Sequence, residues 1–264
     1  MPRYFLEVAY KGTNYSGFQV QENANTIQGE IEKAFNILHG LNALQQGAGQ
    51  GVRLIGSSRT DAGVHALQNF FHFDTELPLH LRKMNAGQAQ FVYKMNAILP
   101  ADVVIRNIYL MHTDAHCRFD AISREYEYRI HRTKNPFQKG LSYFYPYRLD
   151  LGLMQQAASF IQSQTNFFFF SKAHTQVKNF NCTIKNSAWI YKGERLVYNI
   201  EANRFLRGMV RLLTAAMLQV GRKKISMEQY MNLFSASPVQ MRYSVPAEGL
   251  FLKAVKFRQA YFQG

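Results

Sequence analysis

The sequence predicts an α+β protein, and three observations lead there. Short runs rich in Val, Ile, Phe and Tyr recur along the chain with the two-residue alternation of half-buried strands. Between them lie longer segments whose apolar residues fall three and four apart, the spacing of one helical face. Third, 47% apolar content over 264 residues is enough for a substantial core in one or two domains.

Tyr4 to Tyr10 reads as the first strand, broken by Lys11-Gly12-Thr13-Asn14. Asn25 then stands as a helix cap with Gln28 three positions on, and Ile27, Ile31, Phe35 and Leu38 form the apolar face up to Gly40. Leu41 to Gln50 has no periodicity. Val52 to Ile55 and Val64 to Phe73 are strand candidates, the second with Phe71 and Phe73 opposite in direction to Phe70. Leu79 to Ile98 is helical through its middle despite Gly87, Pro100 ends it, and Val103 to Leu110 is a strand. The order β–α–β–β–α–β suggests helices layered on one side of a sheet.

A boundary is expected around Met111 to His116, giving domains 1–111 and 112–264. The second half opens with the alternation Arg124 to Ile130, which puts Tyr126, Tyr128 and Ile130 on one face. A helix over Leu151 to Ser163 and a hairpin over Ile184 to Glu201, turning at Lys192-Gly193, follow. Arg204 to Val220 reads as an amphipathic helix closed by Gly221, then a short helix from Ser226 to Phe234 and a last strand from Leu250 to Phe257. Tyr261 to Gly264 resembles the end of a protease-cleavage linker and is given no functional weight.

The net charge of +14, from 31 basic against 17 acidic side chains, favours a polyanionic partner, and nucleic acid most directly. Two cysteines in unrelated contexts, Cys117 and Cys182, make no disulfide framework and point to a reducing compartment, hence the cytoplasm. The N-terminus lacks a signal-peptide layout, and no apolar run approaches the ~18 residues of a membrane span.

Residues 56–66, Gly-Ser-Ser-Arg-Thr-Asp-Ala-Gly-Val-His-Ala, join two strand-like runs. Asp61 in such a loop either caps a turn through its own backbone or serves as nucleophile or acid–base group. Arg59 nearby would keep a partly desolvated carboxylate ionised, the only form that attacks. His65 reads as a packing or backbone-bonding residue. The spacing of Asp61, His65 and His72 is not that of a zinc site, and no Gly-Lys-Ser/Thr completes a phosphate loop. Tyr126 and Tyr128 either pack or stack on a base. Arg204, Arg207 and Arg211 would share one helical face, as a solvated surface or a phosphate-contact ridge. Arg222-Lys223-Lys224 extends it, and Lys172, His174 and Lys178 form a second basic cluster.

Taken together these motifs resemble those of the TruA-type tRNA pseudouridine synthases. Arg59 to Ala66 is similar to the family signature, Tyr15-Ser16-Gly17-Phe18-Gln19 to its early Tyr-x-Gly-Trp-Gln, and Thr26 to Glu30 to the start of its first helix. Arg124-Glu125-Tyr126-Glu127-Tyr128, Phe205 to Arg211, and Ala247 to Leu250 continue the match in order over essentially the whole chain. The resemblance implies two α/β domains whose antiparallel sheets meet at a central cleft, a homodimer, tRNA as partner, and neither metal nor organic cofactor. It implies isomerisation of uridines 38, 39 and 40 of the anticodon arm. Asp61 would be the nucleophile, Tyr126 the ring that stacks on the flipped base and takes part in proton removal, and Arg59 the side chain that fills the vacated space. Arg211 would be the ion-pair partner of Asp61, and Leu250 the apolar contact to the base. Arg207, Lys172 and Lys178 would bind the substrate. Lys11, where relatives often have Asp, and Phe18, in place of Trp, depart from the pattern and are expected to alter early-loop contacts with RNA.

Two other readings compete. A basic RNA binder without catalysis has no need of a carboxylate facing phosphates, and a nucleobase deaminase needs zinc ligands that the sequence lacks.

Overall fold

A computed structural model describes residues 1–41, 51–76, 79, 86–172, 177–235 and 243–262. The chain forms two compact units, Met1–Ile122 with Ala254–Gly264, and Ser123–Lys253. The division falls later than the boundary expected near residue 112, and the last residues return to the first unit.

In the first unit β1 (Arg3–Tyr10) lies between antiparallel partners β3 (His65–Asp74) and β4 (Val103–Met111), with β2 (Ile55–Gly56) on β3. Of the expected 52–55 strand only Ile55 pairs, together with Gly56 beyond it, while Val52 and Leu54 are buried in the core. Helix α1 (Ile27–Leu38) buries Ile27, Ile31, Ala34 and Phe35, as its periodicity requires. Its cap is Thr26 rather than Asn25: the Thr26 hydroxyl accepts from Gly29 N. Gln28 is drawn away from capping, donating to Glu32 Oε1 and to the Leu54 carbonyl at 2.8 and 3.1 Å. Helix α2 (Ala86–Ile98) is fixed to β4 by Asn96, whose amide both donates to and accepts from the backbone of Ile105 at 2.8 Å. Residues 80–85 of the helix expected from Leu79 lie outside the described residues.

The two faces of this sheet differ. Phe73 meets Phe35 of α1 at 5.6 Å, whereas Phe70 meets Phe257 and Phe262 at 5.2 and 5.3 Å. The chain end therefore has a structural job that its linker-like sequence hides. Tyr261 stacks on Phe257 at 4.9 Å, and Phe262 packs on Tyr109 at 4.6 Å. Gln263 and Gly264 lie outside the described residues. On the same face Glu7, 8% exposed, accepts from Gln68, Asn107 and Tyr109, so three neutral donors hold a buried carboxylate.

The second unit contains β5 (Ser123–His131), β6 (Tyr143–Phe144), α3 (Leu151–Phe160), β7 (Ile184–Lys192), β8 (Arg195–Ala202), α4 (Met209–Gly221) and α5 (Met227–Asn232). β9 (Leu250–Lys256) begins here and ends in the first unit. β8 pairs antiparallel with β5 and β7, and β6 runs parallel to β5. The hairpin turns at Gly193-Glu194, one residue after the expected place, since Lys192 still pairs with Arg195. Helix α4 is buried nearly all round, from Met209 and Val210 to Val220 and Gly221, which makes it the centre of this unit. Asp150 caps α3, and Ser226 with Gln229 forms a capping box on α5.

One expectation about α4 fails. It begins at Met209, so Arg204 and Arg207 precede it and share no helical face with Arg211. Gly208 adopts a left-handed φ of 74° at the cap position, which a helix interior does not accept. Upstream, the Asn203 side chain accepts from the Thr183 and Arg204 amides and holds that backbone to the β7 side.

His72 in β3 links the first unit's stability to pH. It is 2% exposed, lies 3.1 Å from Cys117 Sγ, stacks on Phe5 and meets the His116 ring edge-on at 4.5 Å. Burial, reinforced by His116 and Arg3 against Asp74 and Asp120, pushes its imidazole from 6.5 down to about 4. Below pH 6.5 the unfolded chain binds a proton that the folded one refuses, so stability falls as pH drops toward 4, by at most about 3 kcal/mol. His116, also held low by burial, acts in the same direction. Urea titrations at stepped pH should show this slope, and a shallower one for His72→Asn. Equal slopes would exclude His72 as the source.

Candidate active site

The loop carrying Asp61 is built from buried polar contacts beneath it. Asn69 of β3 has no exposed surface. Its amide nitrogen donates to the Tyr10 hydroxyl and the Ser58 carbonyl at 3.2 and 3.1 Å, and its oxygen accepts from Ser57 Oγ at 2.8 Å. The Tyr10 hydroxyl bonds Thr60 Oγ1 at 2.8 Å. Ser57, Ser58 and Thr60 are thereby buried, while the intervening Arg59 is exposed and Asp61 half-buried. The network holds Ser57 and Thr60 by their hydroxyls and Ser58 by its carbonyl, the Ser58 hydroxyl being buried without a partner among the described residues.

The early segment clamps the loop from the other side. Phe18 N donates to the Thr60 carbonyl at 3.1 Å, and Gly63 N to the Tyr15 carbonyl at 3.3 Å. Gly17, at φ +111°, brings its backbone so near that a Cβ there would lie 3.1 Å from the Thr60 carbonyl oxygen. His65, 1% exposed, accepts from Gly12 N through Nδ1 at 3.1 Å, the backbone-bonding role expected of it. Within the loop Val64 N closes a turn on the Asp61 carbonyl at 3.1 Å. Phe18 is core: 2% exposed and 4.7 Å from Phe71, it has no surface with which to alter RNA contacts. Lys11 is exposed.

The remaining candidates belong to the second unit. Tyr126 is half-buried on β5, with Phe205 edge-on to its ring at 5.0 Å. Tyr128, on the same strand face, has no exposed surface, donates to the Pro246 carbonyl at 2.8 Å, and has its phenol pushed far up by burial. Of the two tyrosines only Tyr126 keeps an accessible ring. Arg211 sits in the first turns of α4, where Nε donates to the Val245 carbonyl at 2.7 Å, and its charge is felt at Tyr128. Leu250 is 7% exposed at the start of β9. Arg207 is exposed, and its carbonyl accepts from Lys172 N at 3.0 Å, which brings two expected substrate contacts together. Lys178 is exposed, and His174 lies outside the described residues.

The opposite face of β5 carries paired charge. Glu127, 3% exposed, accepts from Arg129 Nε at 2.6 Å and Lys192 Nζ at 2.9 Å. Burial alone would raise its carboxyl, but the two cations outweigh burial and hold it below the usual range. Glu125 pairs with Lys253 at 2.6 Å, and the Arg129 guanidinium lies 3.6 Å over Phe251. Among the described residues no group of three or more His, Cys, Asp or Glu could hold a metal ion, and no helix is long and apolar enough to cross a membrane.

Sequence reasoning missed Tyr10, Thr60 and Asn69. Tyr10 and Asn69 sit inside strand patterns, where a polar group signals nothing until its partner is known. Replacing Asn69 by Leu strips the Tyr10 and Ser57 hydroxyls of a partner and should destabilise the fold by about 1–3 kcal/mol. Amide hydrogen exchange at Ser58 to Gly63 should accelerate more than in the body of β1. Uniform protection across both would mean that the network does not hold the loop.

Residues 164–258 match the family model described as tRNA pseudouridine synthase. Over 264 aligned residues the chain is 38% identical to tRNA pseudouridine synthase A of Parabacteroides distasonis, covering 99% of this chain and 98% of that one. It is 35% identical over 256 residues to tRNA pseudouridine synthase A of Staphylococcus aureus strain Newman, with 96% and 90% covered. Likeness at this level along nearly the whole length, over a fold of mixed α/β units, decides the family: the chain belongs to the TruA-type tRNA pseudouridine synthases.

Proposed function

We propose that the chain isomerises uridines 38, 39 and 40 of the tRNA anticodon arm to pseudouridine, with Asp61 as nucleophile. The observation that carries this reading is the buried network under residues 57–65, which commits several polar groups to holding the loop that carries one half-buried carboxylate and one exposed arginine. A loop that served only as a turn would not need such support.

The reaction is redox-neutral. The N1–C1′ bond of uridine breaks, the uracil rotates, and a C5–C1′ bond forms, after which C5 loses its hydrogen as a proton and N1 carries one instead. Asp61 supports departure of the base by attack on the substrate, which requires its ionised form. In this reading Arg211 is the cation that keeps it so, and its Nε bond to the Val245 carbonyl fixes the guanidinium plane. Tyr126 stacks on the flipped base, with Phe205 bracing its ring, and its hydroxyl takes part in removing the C5 proton. Arg59, exposed at the loop tip, fills the space the base leaves and offsets part of the unstacking cost of a few kcal/mol. Leu250 supplies an apolar contact to the base.

Arg207, Lys172 and Lys178 bind the phosphates of the arm. A cytoplasmic homodimer, with one subunit steadying the tRNA while its partner reacts, completes the proposal. It is favoured over a non-catalytic RNA binder because the relatives are named as synthases along nearly their full length.

Tritium release from tRNA labelled at uridine C5 tests the chemistry. Asp61→Ala should lower release by about a thousandfold or more while retaining tRNA binding. Unchanged release in that variant would remove Asp61 from the mechanism. Affinity for tRNA should also fall steeply as salt rises from 50 to 200 mM, through lost counterion release. A flat salt response would contradict a phosphate-reading surface.

A further inference from the structure

A row of tyrosines leads away from the strand face that carries Tyr126. Tyr128 comes next on that face, and its ring stands edge-on to Tyr143 at 6.5 Å. Tyr143, Tyr145 and Tyr147 then follow at ring separations of 5.3 and 5.0 Å. Their backbone is anchored to β5, through the β6 pairing and a bond from Tyr145 N to the His131 carbonyl at 2.9 Å. Tyr128 and Tyr145 are buried, Tyr143 between them is half-buried, and the row ends at Tyr147, 48% exposed.

At the exposed end the chemistry changes. Arg222, the C-cap of α4, lays its guanidinium 3.9 Å over the Tyr147 ring and hydrogen-bonds Tyr145. Tyr243, 53% exposed, shares a hydrogen bond with Tyr143. Arg148 and Lys224 are exposed close by in sequence, and Lys223 pairs with Asp150 at 3.2 Å.

A role in packing alone explains the buried rings but not two half-exposed phenols, one of them lying under a stacked guanidinium. Flat aromatic and guanidinium surfaces flanked by cations are what unpaired bases stack on, because every base has a π-face and a phosphate next to it. The chain's net charge of +14 selects an anionic occupant. The geometry points to Tyr147 and Arg222 as a stacking platform for an unpaired base of the RNA substrate other than the reacting uridine. Tyr243 widens it, and Arg148 and Lys224 take the adjoining phosphates. The platform rests on the RNA reading but not on the identity of the nucleophile.

Filter binding of full-length chain to unmodified tRNA separates the alternatives. Tyr147→Leu should weaken binding about tenfold, and Tyr147→Phe should stay within about twofold of wild type, since the ring and not the hydroxyl does the stacking. Arg222→Gln should weaken binding and lower the slope of log affinity against log salt by about one. A Tyr147→Leu affinity equal to wild type overturns the platform, as would an effect of Tyr147→Phe equal to that of Tyr147→Leu. Because these affinities are read without turnover, an Asp61→Ala variant that still releases tritium would defeat the catalytic assignment and leave this test standing. Should Tyr147→Leu not fold, ultraviolet cross-linking of wild type to tRNA substituted with 5-bromouridine decides instead. Adducts on Tyr147 or Tyr243 support the platform, and adducts confined to other segments exclude it.

Discussion

The side-chain amide of Asn69 is the interaction on which the candidate site depends. With no exposed surface, it joins a strand to the loop above through Tyr10, Ser57 and the Ser58 carbonyl, and Tyr10 passes the constraint to Thr60. In a low-dielectric interior each of these groups is costly to leave unpaired, so the loop backbone is held wherever its partners are satisfied. Arg59 and Asp61 are the residues that the network does not bury. The exposure of Arg59 and the partial exposure of Asp61 therefore follow from the burial of their neighbours. Burial keeps the Tyr10 phenol neutral, pushing it up to about 12, so the network has no titration near neutral pH from that group.

The second unit solves a related problem with charge. Helix α4 is buried on nearly every side, which leaves it little freedom to shift, and Arg211 projects from its first turns with Nε bonded to a main-chain carbonyl. On β5, successive residues serve opposite faces. Tyr126 and Tyr128 look one way, while Glu125 and Glu127 pair with Lys253, Lys192 and Arg129 on the other. The strand's carboxylates are thus matched by cations away from the tyrosines. Such separation suits a chain whose substrate is an anion, since unpaired carboxylates on the tyrosine face would repel it.

Much of this was legible in sequence. The periodicities placed β1, α1, β3, β4, β5, α3, the hairpin and β9 close to their observed positions, because each buries one face and a buried face leaves a two- or 3.6-residue imprint. Asp61 was legible as a motif, through its neighbours Arg59 and Gly63. Other features left no imprint. Nothing local distinguishes Thr26 from Asn25 as a cap, and the choice follows from where Gln28 finds better partners in Glu32 and Leu54. Arg204 and Arg207 continue the spacing of Arg211, yet the left-handed Gly208 starts the helix after them.

By itself, then, the sequence determined the α+β alternation, the basic character, the family motifs and the identity of the acidic residue in the loop. Those properties are carried by residue type and short spacing. Tertiary structure alone decided that Asn69 and Tyr10 support that loop, that Phe18 is core, and that Phe257, Tyr261 and Phe262 cover a sheet face instead of forming a tail. Each of these depends on contact between residues dozens or hundreds of positions apart, and no local pattern encodes the partner. The loop around Asp61 shows both limits at once: its motif is written in adjacent residues, and its support in distant ones.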